Sequence, residues 1–204
     1  MEFLKRYFLI LIIFLSSYTY SQNNDISIAF EESYKLEYNG DYKQAIEKIK
    51  EIYSAESYEI NLRLGWLNYY AGFFTESTTY YQKAISLMPY SIEAKFGLIN
   101  PAVALGNWNI VIKTYEKILQ LDQKNSTANY RLASIYYGKK DYSSAYKYYQ
   151  TVVNSYPFDY DATLMFAWTN YMLGKSREAK ILFNKVLLIS PKDASAIEGL
   201  SLIK

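Results

Sequence analysis

Apolar residues recur along most of this chain with the spacing of an α-helix. In one representative stretch, Ala145, Tyr149, Val152 and Val153 follow the pattern i, i+4, i+7, i+8, which places them on one face of a helix. Pro157 then ends the pattern, because proline cannot donate the next backbone hydrogen bond of a helix. No segment alternates strictly between apolar and polar residues, so the pattern predicts helices and requires no strands.

The same landmarks return every 34 residues, in three aligned series: Gly72, Gly106, Lys140 and Gly174; Ala84, Ile118, Val152 and Val186; and Pro89, Gln123, Pro157 and Pro191. A fixed period of this length is typical of stacked supersecondary units. It predicts four consecutive repeats, at 58–91, 92–125, 126–159 and 160–193. A shorter, earlier repeat at 26–57 has the same central Gly-Asp-Tyr turn.

Each repeat divides into two helical halves around a central turn, and in this it resembles the tetratricopeptide repeat. The resemblance rests on large, small, aromatic and proline residues at fixed repeat positions, which in repeat 58–91 are Leu64, Gly65, Phe74, Tyr81, Ala84 and Pro89. It implies an all-α fold, a right-handed α-solenoid of stacked helix–turn–helix repeats. Residues 194–204 are then expected to form a capping helix, because a terminal repeat otherwise exposes its apolar face.

Three departures from the family pattern carry expectations of their own. Pro101 lies four residues after Gly97 inside a first helix, which predicts a kinked or broken helix near Asn100; it is either a tolerated irregularity or a bend that shapes a pocket. Gln123 replaces the closing proline of its repeat, so the second helix there is expected to run on slightly. Asparagine stands at 68 and 170, where the family places tyrosine, so either neighbouring tyrosine is a candidate for that packing role.

The N-terminus predicts export. Lys5 and Arg6 precede an unbroken apolar run at 7–15, and small polar residues follow it, which is the order of a secretory signal. The run is about half the roughly 20 residues of a spanning helix, so we expect residues 1–21 to be a cleaved signal peptide rather than a retained anchor. No cysteine follows the run, which argues against a lipoprotein. The mature domain would be 22–204, without a membrane span and located in the periplasm or outside the cell.

Composition excludes several classes of function. The net charge of +2 gives no basic footprint for nucleic acid, and the absence of Cys and His excludes thiol chemistry, His-dependent triads and Cys/His zinc sites. No acidic cluster is spaced for a metal, and no cofactor motif is present. The carboxylates of Glu31, Glu32 and Glu37 are better explained as a solvated helix face than as catalytic groups. We therefore expect a protein that is not an enzyme.

In the family the first helices line a concave groove, and carrying those positions over gives the candidate binding residues. They are Phe30, Tyr34, Arg63, Trp66, Tyr70, Phe96, Asn100, Tyr130, Arg131, Tyr137, Trp168 and Tyr171. Aromatic and arginine residues dominate interface energies. The two arginines are candidates for a clamp on the carboxylates of an extended peptide.

Four readings stay open at this stage. The groove binds a protein segment as part of an envelope scaffold; it binds a glycan or small ligand through Trp66 and Trp168 as stacking platforms; the chain is a purely structural accessory unit; or the rings only fill space between helices. The sequence does not separate them.

Overall fold

The computed structural model describes residues 25–203, and every regular element in that range is an α-helix. The predicted signal peptide, residues 1–21, lies outside the described residues. The helices, in chain order, are α1 (25–38), α2 (Tyr42–Glu51), α3 (Tyr58–Tyr70), α4 (Phe74–Leu87), α5 (Ile92–Ala104), α6 (Trp108–Leu121), α7 (Ser126–Gly138), α8 (Tyr142–Ser155), α9 (Tyr160–Met172), α10 (Ser176–Ile189) and α11 (Ala194–Leu202). The predicted all-α solenoid fold is confirmed.

The chain forms two compact units, which meet in sequence at Trp108 and Asn109. The N-terminal unit, described from residue 25 to 108, has a core that joins α2 to α3 and includes Ile49, Ile60 and Leu64. The C-terminal unit, described from 109 to 203, has two such clusters, one around Tyr149 between α7, α8 and α9, and one around Phe183 between α9, α10 and α11.

The period of the sequence reappears in the helix caps. Five helices begin after a residue whose side chain accepts a hydrogen bond from the backbone N–H three positions on, and these residues are 34 apart: Ser57, Ser91, Asn125, Asp159 and Asp193. Such a cap satisfies a backbone donor that the helix leaves unpaired and contributes about 1 kcal/mol. The start of each of these helices is therefore specified by the capping residue just before it as well as by the core.

Two of the glycines allow close approach of an aromatic ring. A Cβ at Gly65 would lie 2.9 Å from the ring of Tyr81, and one at Gly97 would collide with the same ring. Tyr81 thus fills the space between the first helix of its own repeat and that of the next. Phe183 packs in the same way against Gly199 of the capping helix.

The sequence predicts a kinked or broken helix near Asn100, and the break does not occur. Helix α5 runs without interruption from Ile92 to Ala104 and contains Pro101. Proline removes a single backbone donor, while Leu98, Ile99 and Ala102 are buried around it. The helix also closes normally, because Leu105 N donates to the Pro101 carbonyl at 3.0 Å.

The expectation that α6 runs on past its repeat is also wrong. It ends at Leu121, the same repeat position at which α4, α8 and α10 end. Asp122 supplies the stop signal that proline supplies elsewhere. Its carboxylate accepts hydrogen bonds from Lys124 N at 3.2 Å and from Asn125 Nδ2 at 3.1 Å, and this local turn competes with helix.

Candidate functional site

Three exposed rings lie on the neighbouring first helices α1 and α3 of the N-terminal unit. Tyr34 of α1 is 56% exposed, and Trp66 and Tyr70 of α3 are 38% and 46% exposed. The Trp66 and Tyr70 ring centroids are 4.6 Å apart, and Tyr42 of α2 stacks on Tyr70 at 5.5 Å. We call Tyr34, Trp66 and Tyr70 the aromatic face.

A partly buried ion pair lies beneath this face. Arg63 is only 6% exposed and forms a salt bridge with Glu37 of α1. Its Nε and Nη2 atoms also donate to Ser33 Oγ at 3.1 and 2.9 Å. The second oxygen of Glu37 accepts a hydrogen bond from Trp66 Nε1 at 2.5 Å. One carboxylate therefore fixes both the arginine and the indole.

The Arg63 guanidinium also lies under the ring of Tyr34, 3.9 Å from its centroid. A guanidinium in this position adds a cation–π attraction. Each ring of the aromatic face is consequently held by a neighbour, so the face is ordered before anything binds. Little side-chain entropy remains to be lost on binding.

The prediction that Arg63 offers a free guanidinium is wrong. The family position predicted a groove-lining side chain, but Glu37 and Ser33 of the preceding helix already satisfy the guanidinium. Arg131, at the same repeat position, is exposed, and among the described residues it has no ion-pair partner within 4 Å. Of the two arginines of the proposed clamp, Arg63 is therefore not available to bind a peptide carboxylate.

Sequence reasoning missed Ser33 as a functional residue and considered Glu37 only as a catalytic carboxylate. A glutamate on one first helix and an arginine on the next are a usable signal for such a pair. Of the other two candidate carboxylates, Glu31 pairs with Lys35 at 2.6 Å and Glu32 with Lys48 at 3.4 Å. The hydrogen bond from Lys35 lowers the pKa of Glu31.

The remaining candidates of the N-terminal unit are less exposed or do not join the aromatic face. Phe30 is half-buried against the core, 6.4 Å from Tyr34 between ring centroids, and Phe96 of α5 is also half-buried. Asn100 of α5 is exposed.

In the C-terminal unit the predicted rings mostly pack. Tyr130 lies edge-on to the buried Tyr149, with 5.7 Å between centroids, and Tyr137 meets Tyr142 at 5.3 Å. Burial raises the pKa of Tyr130 and of Tyr137 above the usual value. These rings fill the space between α7 and α8.

Trp168 is covered by neighbouring helices. Its Nε1 donates to Ser195 Oγ of α11 at 2.9 Å, and its ring lies 5.0 Å from Phe183 and 5.7 Å from Tyr171 between centroids. It is therefore part of the packing of the capping helix. The hypothesis that used Trp66 and Trp168 as matched stacking platforms loses one of its two rings.

Neither a metal centre nor a membrane span is found in residues 25–203. No group of acidic side chains there is arranged to hold a metal ion. No helix of the same range combines the length and apolarity needed to cross a bilayer.

The family sequence model of the tetratricopeptide repeat matches residues 127–159, where α7 and α8 form one helix pair. The chain therefore has the fold of a tetratricopeptide-repeat solenoid, and the family model matches one of its repeats. Its fold agrees with solved structures of that class. A tetratricopeptide repeat protein from Parabacteroides merdae ATCC 43184 superposes with a TM-score of 0.73 at 21% identity, over 87% of this chain and 72% of that one.

Two other tetratricopeptide-repeat structures are similar. The MamA protein gives a TM-score of 0.71 at 21% identity, over 84% of this chain and 95% of MamA. YrrB, described as having an unusual peptide-binding site, gives 0.69 at 13% identity, over 91% and 97%. No curated protein sequence matches the chain. At these identities the likeness concerns the fold.

Against the tetratricopeptide pattern, two asparagines do what a tyrosine does in the family. Asn68 and Asn170 are buried, and their Nδ2 atoms donate to the carbonyls of Leu64 at 2.7 Å and Phe166 at 2.8 Å. The asparagines themselves occupy the packing position, so neither neighbouring tyrosine takes it over. Tyr69 is instead half-buried beside Tyr70.

A second departure from the family pattern is a polar residue at the fourth position of a repeat, where its side chain bonds to the backbone at the helix start. The fourth residue of a repeat is Asn61, Lys95 or Asn129, and each donates to a carbonyl at the start of its own helix: Ser57 O at 2.7 Å, Ser91 O at 3.0 Å and Asn125 O at 2.9 Å. The family carries a large residue there. Three buried nitrogen donors at one repeat position were a readable signal that sequence reasoning did not use.

Proposed function

We propose that this chain is a non-enzymatic interaction module, exported to the cell envelope, whose aromatic face binds an extended protein segment. The observation that carries the proposal is the exposure of three rings on two adjacent first helices, above a partly buried Glu37–Arg63 pair. Exposed rings in a contiguous patch are typical of interaction sites.

Rigid aromatic side chains favour binding because they bring a large contact area at low entropic cost. Trp66 presents its ring while its Nε1 is already hydrogen-bonded to Glu37 at 2.5 Å. A peptide therefore meets mainly apolar ring surface here, and we expect proline, aliphatic or aromatic side chains to make the contact. The peptide-binding site named for YrrB, a protein of the same fold, supports this mode of use.

The charge of the N-terminal unit sharpens the expected partner. Its described residues contain seven Lys and Arg against eleven Asp and Glu, a net charge of −4. Since Arg63 is neutralised by Glu37, no cation of the aromatic face remains for a carboxylate. Electrostatic complementarity then favours a neutral or basic segment, rather than the acidic one that an arginine clamp would select.

Selection from a random peptide library tests the proposal. We expect binders enriched in apolar and basic residues, with affinity lost in Tyr70→Ala, because the ring supplies contact area. The matched control is Tyr90→Ala, a loop tyrosine that is 82% exposed and outside the aromatic face. Equal affinity of the two variants for the selected peptides would remove the aromatic face as the site.

A glycan is the second candidate, favoured by the exposed Trp66 and Tyr70 rings, whose centroids are 4.6 Å apart. Sugar faces stack on such rings, but the covered Trp168 removes the second platform. Titration with soluble glycans, followed by the change in Trp fluorescence, separates the two. A response to glycans that disappears in Trp66→Leu, without any peptide selected, would favour the sugar.

Export is tested by the mass of the chain recovered from the producing cell's envelope. Cleavage after residue 21 leaves Gln22 as the first residue. An intact Met1 on the envelope-associated chain would support an uncleaved anchor instead.

A further inference from the structure

Helix α10 has two large apolar side chains on its outer surface. Ile181 is 61% exposed and Leu188 is 74% exposed. Neither belongs to the clusters that pack α10 against α9 and α11, which use Ala179, Phe183 and Val186. They are seven residues apart, so they lie two turns apart on one face.

The other repeats show that the fold does not need apolar residues at these two places. At the same repeat positions the three preceding second helices carry exposed polar residues: Thr79 and Ser86 in α4, Lys113 and Gln120 in α6, and Lys147 and Asn154 in α8. The last repeat alone among these four departs. Packing within the repeat therefore does not explain Ile181 and Leu188.

Cations flank this apolar pair. Arg177, Lys180 and Lys185 lie on the same helix, against one acidic residue, Glu178. Among the described residues, none of these three cations has a carboxylate within 4 Å, whereas Lys35, Lys48, Lys50, Arg63 and Lys83 of residues 25–108 do. We call Arg177, Lys180, Ile181, Lys185 and Leu188 the basic outer face of α10.

The apolar area of this face favours a lipid surface over a folded protein as the partner. Two aliphatic side chains supply on the order of 100 Å² of apolar surface each, far below the roughly 800 Å² per partner of a stable protein interface. A fluid lipid surface needs no matching shape. Long Lys and Arg side chains keep their charges among the headgroups while short apolar ones enter beneath them.

We propose that the basic outer face of α10 docks this protein, reversibly, on a membrane surface that contains anionic lipid. Each cation near such a surface strengthens binding about fivefold, and the two apolar side chains add to this. The contact is peripheral, since one face of one helix makes it. The inference does not depend on the aromatic face or its partner.

The absence of cysteine from the chain allows a local test. A single Asn184→Cys, between Ile181 and Leu188 on the exposed surface, is labelled with a fluorophore that reports polarity. The matched control is Gln150→Cys, the exposed residue 34 positions earlier in α8. Each labelled full chain is titrated with phosphatidylcholine vesicles, with and without phosphatidylglycerol.

The label at 184 should move to an apolar environment only with the anionic vesicles, and the label at 150 should not respond. Arg177→Gln/Lys180→Gln/Lys185→Gln should weaken the response about 100-fold. Ile181→Thr/Leu188→Ser, which installs the residues that α4 carries, should abolish the apolar shift without loss of helix content. Three results would each overturn the proposal: no response at 184, equal responses at 184 and 150, or a response at 184 that needs only a higher protein concentration, as a second copy would give.

Discussion

The two compact units treat their charged side chains in opposite ways. Residues 25–108 have a net charge of −4, and their ion-paired cations include Lys35, Lys48, Lys50, Arg63 and Lys83. Residues 109–203 carry twelve cations and eight carboxylates, and no ion pair within 4 Å is found among the described side chains there. Units built from the same repeat thus differ: the N-terminal unit is acidic and contains ion pairs, and the C-terminal unit is basic and has none among its described side chains.

The aromatic residues differ in parallel. Tyr34, Trp66 and Tyr70 stay exposed in the N-terminal unit, while Tyr130 and Trp168 of the C-terminal unit are half-buried against other helices. A residue at a groove position of this repeat can therefore either be exposed or pack against another helix. What lies on the preceding or following helix decides whether a ring packs or stays exposed.

The largest expected difference between the units concerns the two arginines at one repeat position. Arg63→Ala should lower the free energy of unfolding by about 1.5–3 kcal/mol, because it removes a nearly buried guanidinium and its hydrogen bonds to Ser33 and the half-buried Glu37. Arg131→Ala should change it by at most about 0.5 kcal/mol, since that side chain is exposed. Urea denaturation measures both. Equal losses would mean that the ion pair does not distinguish the units.

The next difference concerns two helical glycines. Gly97→Ala should cost about 1–3 kcal/mol, because the new Cβ collides with the Tyr81 ring. Gly138→Ala meets no atom within 4 Å, so it should stabilise α7 by about 0.5–1 kcal/mol. Thermal unfolding of both variants checks the opposite signs. A destabilising Gly138→Ala would show that the ring contact is not the cause.

A smaller effect is expected at the left-handed turns. Lys140 has φ of 60°, where the corresponding residues Gly72 and Gly174 have 82° and 73°. Lys140→Gly should therefore raise stability by up to about 1 kcal/mol, and Gly72→Lys should lower it. If both changes destabilise, the lysine side chain contributes something beyond the turn.

The smallest effect is a difference in pH dependence. Tyr160 donates to Asp193 at 2.6 Å in the C-terminal unit, and this hydrogen bond lowers the pKa of Asp193. Because its folded-state pKa is lowered, Asp193 stabilises the fold fully at pH values above its ordinary pKa of 3.8. This stabilisation is lost as the pH falls through the lower pKa of the folded state. The corresponding Tyr58 in the N-terminal unit meets the neutral Ser91 at 2.8 Å and donates to the carboxylate of Glu93 only at the longer distance of 3.4 Å.

Tyr160→Phe should therefore destabilise at neutral pH and progressively less in acid. Tyr58→Phe should show a weaker dependence on pH, because its shorter hydrogen bond is to the neutral Ser91 and its bond to Glu93 is long. Denaturation midpoints at pH 7 and pH 3 test the pair, and identical pH profiles would contradict the assignment.

The fold was readable from the sequence because its signals are local and repeated. The 34-residue spacing recurs in the glycine series and in the proline series, each of which is interrupted once, at Lys140 and at Gln123. The wrong predictions were those in which a rule about one residue, such as proline breaking a helix, was overridden by contacts with neighbouring residues. Pro101 is carried by buried side chains around it, and Asp122 ends α6 without a proline.

The site was less predictable for the same physical reason. Position in the repeat indicated that Arg63 faces a groove, yet Glu37 on the previous helix decides its state. Trp168 depends on Ser195, which lies 27 residues later. Pairings across helices are set by tertiary packing, which single-repeat patterns do not contain.

The central claim is that the aromatic face of the N-terminal unit binds the peptide, while the candidate rings Tyr130 and Tyr137 of the C-terminal unit only pack. Peptide binding by two double variants tests this claim most directly. Peptides selected on the unmodified chain would be titrated against Tyr34→Ala/Tyr70→Ala and Tyr130→Ala/Tyr137→Ala, with folding verified by circular dichroism. We expect at least about a tenfold loss of affinity in the first variant and none in the second. Loss in the second variant alone, or equal loss in both, would contradict the account.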